Sequence, residues 1–346
     1  MKPQDDLISF AREALQLSPL DHADLVPFSG RGSDRSYFRF IWANRSAILV
    51  QYESSRIENS YFADIAAFLF ENGIPVPRII RHDATTGRIL LEDLGNTDLW
   101  ALRNAPWERR RLLYRKTLAA VKNLHAIPAA RFPSGRVRLM EPFGPDLYRW
   151  ERNYFAENFV SAACGVKLGA DRAKTLEMEL SGLAERIASG KPCLVHRDLQ
   201  SQNVMIYRDE PFLIDFQGMR FGSPFYDLGS LLCDPYVVYA DVERMELLSY
   251  CHELSNSELD WGDFQSAFWE ASAQRLMQAL GAYGFLGLSR GLITYLDHVP
   301  AGLRNLRVAA ENAGTLPLLC SLCDECERAL GAQSSAAKHA PSGTGF

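Results

Sequence analysis

Short apolar runs bounded by turn residues recur in the first third of the chain, while apolar residues three and four apart mark its two other segments and most of the remainder. The first pattern predicts strands and the second helices. Asp5 to Leu17 reads as a helix ended by Ser18-Pro19. Leu25 to Ser29, Ser36 to Trp42 and Ala47 to Tyr52 read as strands, the first two joined by the turn Gly30 to Arg35. Ile57 to Asn72 is an amphipathic helix stopped by Gly73 and Pro75. Arg78 to His82 and Arg88 to Leu91 complete a small antiparallel sheet. Beyond Asn96 the helical period dominates: Trp107 to His125, Tyr148 to Phe159, Leu176 to Ser189, Val242 to His252, Trp261 to Leu280 and Leu316 to Leu330. Gln333 to Phe346, rich in Ser, Ala, Gly and Pro, reads as a disordered tail.

One stretch interrupts the helical half. In Leu194-Val195-His196-Arg197-Asp198-Leu199-Gln200-Ser201-Gln202-Asn203, an apolar run opens into a polar loop, which leads to a hairpin of Val204 to Tyr207 and Phe212 to Ile214 and then to Asp215. The order His-Arg-Asp, an Asn five residues after the Asp, and a second Asp one hairpin later is the spacing of a kinase catalytic loop and its metal carboxylate. Phosphoryl transfer needs these groups. Asp198 accepts the hydrogen bond of an attacking hydroxyl and aims it at phosphorus. Asn203 and Asp215 supply oxygens to magnesium, which keeps several waters and substrate phosphates in its shell. Arg197 supports the loop.

Composition agrees with an enzyme and excludes other classes. The 346 residues exceed one ordinary core, so two lobes are expected. Hydrophobic content of 47% and charged content of 23% are globular values. The net charge of -5, without a Lys/Arg run, offers no field for nucleic acid. No apolar run is long enough to span a membrane, and no signal peptide is evident, which points to the cytoplasm, where ATP is available. The seven cysteines are odd in number and irregular in spacing, and read as free thiols. Cys320, Cys323 and Cys326 could open an iron–sulfur site, but they fall in a helical pattern with no fourth ligand after them.

The catalytic stretch, together with Gly222-Ser223-Pro224-Phe225-Tyr226-Asp227-Leu228-Gly229, resembles the aminoglycoside phosphotransferase and choline kinase family. That resemblance implies an α+β, two-lobe, protein-kinase-like fold, with a small antiparallel-sheet lobe over residues 1–95, a mainly helical lobe over 96–335, and a disordered tail over 336–346. ATP would lie in the cleft. It implies that Asp227 braces the catalytic loop and that backbone groups near Glu92 and Leu94 in Leu91-Glu92-Asp93-Leu94-Gly95 hold adenine; side-chain identity matters little for that, and the Glu and Asp side chains read as exposed connectors. Gly30, Gly32 and Ser33 would let backbone amides approach the phosphates. A departure follows at Ile48-Leu49-Val50-Gln51-Tyr52, which has no lysine where a kinase carries one. Arg35 or Arg39 is the expected substitute, and Glu58 stands where the usual lysine partner lies.

Gly32-Ser33-Asp34-Arg35-Ser36-Tyr37, Gly73-Ile74-Pro75-Val76-Pro77 and Gln274-Arg275-Leu276 narrow the likeness to bacterial cell-wall sugar kinases, which phosphorylate the anomeric hydroxyl of N-acetylmuramate and N-acetylglucosamine. The implied function is an ATP- and magnesium-dependent kinase of small molecules. Candidate sugar contacts are Glu151, Arg152, Asp234 and Arg275, with Arg275 suited to a lactyl carboxylate. Other acceptors of the same fold, such as aminoglycosides or choline, and a nucleotide-binding protein without turnover are the competing expectations. The sequence carries no signal for oligomeric state.

Overall fold

The computed structural model describes residues 3–18, 20–28, 35–53, 56–255 and 258–339. The chain forms two compact units: residues 1–141, 196–198 and 202–220, and residues 142–195, 199–201 and 221–346.

Unit 1 is built on a five-stranded antiparallel sheet. Strands β1 (Ala23–Phe28), β2 (Ser36–Trp42), β3 (Arg45–Gln51), β4 (Ile79–Asp83) and β5 (Arg88–Glu92) stand in the order β1-β2-β3-β5-β4. The register of β2 on β3, with Phe40 opposite Ala47 and Phe38 opposite Leu49, puts alternate apolar residues on one face. Helix α1 (Pro3–Ala14) covers that face. Its Leu7, Phe10 and Ala11 form a core with Phe40, Ala47, Leu49 and Leu90. The helix ends three residues earlier than Leu17 because Gln16 turns left-handed (φ 55°) and Leu17 N–H closes back onto the Arg12 carbonyl at 3.0 Å. At the β4–β5 turn, Gly87 (φ 63°) bonds Tyr52, and a Cβ there would lie 2.2 Å from the Tyr52 carbonyl oxygen. Only glycine fits.

Helix α2 (Ile57–Glu71) buries Tyr61, Phe62, Ile65, Phe68 and Leu69. The ring of Phe62 stacks on Phe216, the residue after Asp215, at 4.8 Å and 14°. Helix α3 (Trp107–His125) completes the helical part of unit 1, and the hairpin β7 (Val204–Tyr207) and β8 (Glu210–Leu213) belongs to the same unit. The boundary expected between residues 95 and 96 therefore falls inside it. Main-chain bonds explain this: Ile206 N–H donates to Thr97 O at 2.7 Å and Leu99 N–H to Val204 O at 3.0 Å, tying the segment after residue 95 to the hairpin.

Unit 2 is almost entirely helical: α4 (Pro145–Phe155) with a π-helical continuation through Ala163, α5 (Ala170–Ser189), α6 (Pro224–Leu232), α7 (Asp241–Ser255), α8 (Trp261–Gly284), α9 (Val299–Ala313) and α10 (Pro317–His339), with the short strands β6 (Cys193–Val195) and β9 (Arg220–Gly222) at its margin. Helix α8 is buried around most of its circumference, with its polar Glu270, Ser272, Gln274, Arg275 and Gln278 enclosed along with its apolar residues. Two glycines let neighbours close on it. A Cβ on Gly229 of α6 would meet Ser272 Oγ at 2.7 Å, and one on Gly284 would meet the Asn158 carbonyl at 2.2 Å. Helix α9 escapes the periodicity reading because Pro300 and Gly302 look like breakers. Proline is tolerated in a first turn, where its missing N–H has no partner to lose. The last helix also runs to His339, so the tail expected to be disordered from 336 is helical that far, in keeping with the good helix formers Ala336, Ala337 and Lys338.

Candidate active site

The kinase-like loop is a strained, heavily bonded piece of main chain. Asp198 N–H donates to Nδ1 of His196 at 3.3 Å, which leaves the ring proton on Nε2, where it donates to the Ile214 carbonyl at 2.9 Å. The fully buried His196 thus staples the loop to the end of the β8 strand. Arg197 is held at φ 78°, a left-handed conformation that costs a non-glycine residue about 1–2 kcal/mol. From there its guanidinium donates to Asp198 Oδ2 at 3.0 Å, and the Asp198 side chain stays 27% exposed, so a solute hydroxyl can reach it.

Asn203 donates through Nδ2 to the Asp198 carbonyl at 2.8 Å, and Ile214 N–H donates to the Asn203 carbonyl at 3.0 Å. The amide is therefore oriented, and among the described residues no donor engages its Oδ1. Asp215 follows in a left-handed conformation (φ 64°), so β8 ends at Leu213 and not at Ile214. Its Oδ1 accepts from Gln217 Nε2 at 2.9 Å and from the guanidinium of Arg35. Gln217 Oε1 also accepts from Arg35 at 3.3 Å. Burial opposes the Arg35 charge, yet Tyr37, the charge and hydrogen bond of Asp215, and Glu58 outweigh it and raise the pKa of the guanidinium above its ordinary value. Arg35 therefore connects the Asp215 carboxylate to the field of Glu58 on α2.

The two arginines proposed for the lysine-free strand have separated. Arg35 stands at Asp215, the carboxylate expected to hold metal. Arg39 is bidentate on Asp93 at 2.6 and 3.2 Å and reaches Asn96 Oδ1 at 2.7 Å. Asp93, expected as an exposed connector, is only 5% exposed and also accepts the Gly95 N–H at 2.9 Å, so it shapes the turn at the end of β5. Glu92 closes β5, its main chain paired with Arg78, and Leu94 is buried. Gly30, Gly32 and Ser33 lie outside the described residues.

The candidate sugar contacts are all in unit 2, and all are enclosed. Glu151 is 1% exposed and accepts from Tyr226 OH at 2.7 Å and Gln274 Nε2 at 2.9 Å. Arg152 donates to Glu177 at 2.7 Å. Arg275 is 3% exposed and donates to Ser230 Oγ at 3.2 Å and to Gln278. Asp234 is fully buried, with Ser201 as its main partner. Each of the four thus has a protein partner within unit 2. Asp227 is fully buried in the first turn of α6. Sequence reasoning missed Gln217 and Ser201 as partners of the site. A glutamine directly after Phe216, in an otherwise apolar stretch, was the available hint for the first; nothing marked the second.

The chemistry of the set suits magnesium. Asn203 Oδ1 and the Asp215 carboxylate are hard oxygen donors, and an ion of that kind takes its remaining oxygens from phosphates and water. Among the described residues no group of three or more His, Cys, Asp or Glu could hold a metal ion, the helical Cys320, Cys323 and Cys326 included. No described helix is long and apolar enough to cross a membrane.

Comparison with known proteins points the same way. A profile of the phosphotransferase enzyme family matches residues 24–265. The chain is 26% identical to an N-acetylmuramate/N-acetylglucosamine kinase of Pseudomonas aeruginosa, over 83% of this chain and 84% of that protein, and 26% identical to one of Neisseria meningitidis, over 87% and 90%. Its fold is shared with a choline/ethanolamine kinase family protein of Mesorhizobium loti (TM-score 0.61, 14% identity, 91% of this chain and 99% of that one) and with an ADP-bound aminoglycoside phosphotransferase (TM-score 0.56, 13% identity, 92% and 99%).

Proposed function

Because the chain belongs to the phosphotransferase enzyme family, we propose that it transfers the γ-phosphate of ATP, with magnesium, to the anomeric hydroxyl of an amino sugar of the N-acetylmuramate or N-acetylglucosamine kind. That it is a kinase acting on an alcohol group follows from the family and from its kinase-named relatives. The observation that carries the acceptor is the identity to amino-sugar kinases sustained over more than four fifths of both chains.

The residues have matching roles in this reading. Asp198 accepts the hydrogen bond of the anomeric hydroxyl and takes its proton as the bond to phosphorus forms, while Arg197 holds one carboxylate oxygen in place. An anomeric hydroxyl is more acidic than an ordinary alcohol, so orientation is the larger part of this task. Asn203 and Asp215 would hold magnesium, which when bound draws the phosphate oxygens together and offsets their charge. Arg35, already on Asp215, brings the cation that the lysine-free strand lacks to the phosphate-bearing side of the site. Main-chain groups around Glu92 and Leu94 would hold adenine. Dependence on ATP puts this work in the cytoplasm.

The test is phosphate transfer from ATP and magnesium to a panel of N-acetylglucosamine, N-acetylmuramate, glucose, kanamycin and choline. The reading requires kcat/KM for the acetylated amino sugars to exceed that for the cationic acceptors by about two orders of magnitude, a discrimination that paired polar groups can supply. Preference for kanamycin or choline would contradict it.

A further inference from the structure

Asp234, just past the C-terminal end of α6, has no contact with solvent. A buried carboxylate is costly unless donors fill its lone pairs, and here three do. Its Oδ2 accepts the Ser201 backbone N–H at 2.8 Å and the Ser201 hydroxyl at 2.5 Å, and its Oδ1 accepts the Tyr236 N–H at 3.0 Å. The Tyr236 bond closes a local turn. The other two go to a single loop residue 33 positions away, itself fully buried, three residues after Asp198 and two before Asn203. Leu199 is fully buried as well.

We propose that Asp234 is a positioning residue for phosphoryl transfer: its ionised carboxylate grips Ser201 and so fixes the main chain that carries Asp198 and Asn203. This rests on the kinase reading of the loop, and it replaces the acceptor-contact role expected of Asp234 with one exerted through the backbone. Misplacement of a base by about 1 Å costs about 100-fold in rate, so a two-bond grip three residues away bears directly on turnover.

The surroundings of Asp234 make the grip sensitive to pH. Burial raises its pKa to about 6, against the hydrogen bonds from Ser201 and Tyr236 and the charge of Arg275, which pull it down. Among the described residues Tyr283 on α8 and the adjacent Cys233 also feel its charge, and burial raises both above their ordinary values. They stay neutral where Asp234 titrates. Below about pH 6 the carboxyl carries a proton among converging donors, and its hold on Ser201 weakens.

Two variants and one non-kinetic readout test the proposal. D234N keeps the shape but turns one acceptor into a donor. Its kcat should fall about 10- to 100-fold, with KM for ATP and for N-acetylglucosamine within about threefold, and the low-pH limb near 6 should vanish from its kcat profile. S201A keeps the backbone N–H and loses the hydroxyl. It should lose less kcat, and its limb should move to higher pH because a bond that lowers the Asp234 pKa is gone. Hydrogen exchange should show the Ser201 amide less protected in D234N, a result that needs no acceptor. Wild-type kcat in D234N, a limb unmoved in S201A, or a loss confined to the sugar KM would overturn the proposal. If the wild-type enzyme phosphorylates no amino sugar, the acceptor assignment fails by itself, and unchanged Ser201 protection in D234N would then overturn this one.

Discussion

Arg35 and Asp215, 180 residues apart in sequence, form an ion pair that Gln217 closes into a triangle. The pair places a cation at the carboxylate that would carry magnesium, in a chain whose β3 strand, where a kinase has its lysine, is Arg45-Ser46-Ala47-Ile48-Leu49-Val50-Gln51. Steady-state kinetics should therefore show R35A raising KM for ATP about 10- to 100-fold, as expected for losing a charge-assisted contact to phosphate, with R35K recovering part of the loss. An unchanged KM for ATP in R35A would reduce Arg35 to a structural partner of Asp215.

Asp93 makes a prediction about stability. Its carboxylate is nearly enclosed and serves both Arg39 and the Gly95 N–H. Removing it strands a guanidinium and a main-chain donor, so D93A should lose about 2 kcal/mol in urea unfolding. R39A should lose a comparable amount, and the double variant less than the sum, because the two changes break one interaction. Additive losses would show that the pair is not coupled.

The candidate catalytic loop stands out in the sequence because the chemistry it suggests is local: a base, an amide and a metal-binding carboxylate would come at fixed spacing, and no distant residue is needed to notice it. The sheet was legible for the same reason, since Ser36 to Trp42 and Ala47 to Gln51 are short runs rich in aromatic and branched apolar residues. What required the structure is long-range. Arg35 and Arg39 lie on or beside one strand and look equivalent in sequence; only the positions of Asp215 and Asp93 separate them. Likewise, the sequence does not show that Glu151, Asp234 and Arg275 are enclosed and bonded to side chains from another part of the fold or the next helical turn. Burial is a tertiary property, and polarity alone does not disclose it.

Asp234 also predicts how stability changes with pH. Its folded pKa, about 6, lies above the ordinary carboxylate value of 3.8, so the folded state holds this proton more tightly. The resulting stabilisation is complete below about pH 4 and is lost as pH rises through about 6, about 3 kcal/mol for a shift of about two units. The difference in unfolding free energy between wild type and D234N should fall by about that amount from pH 4 to pH 8. A difference that is flat, or that grows with pH, would contradict the assigned direction.

In the proposed reaction Asp198 directs an anomeric hydroxyl onto phosphorus. The most direct test of this step is the product made from ATP, magnesium and N-acetylglucosamine, followed by phosphorus and proton NMR for wild type and D198N. The product should carry a phosphate coupled to the C1 proton and labile to mild acid. The D198N rate should be lower by about two to four orders of magnitude at little cost in ATP affinity. A phosphate on any other carbon, or D198N turning over at the wild-type rate, would contradict it.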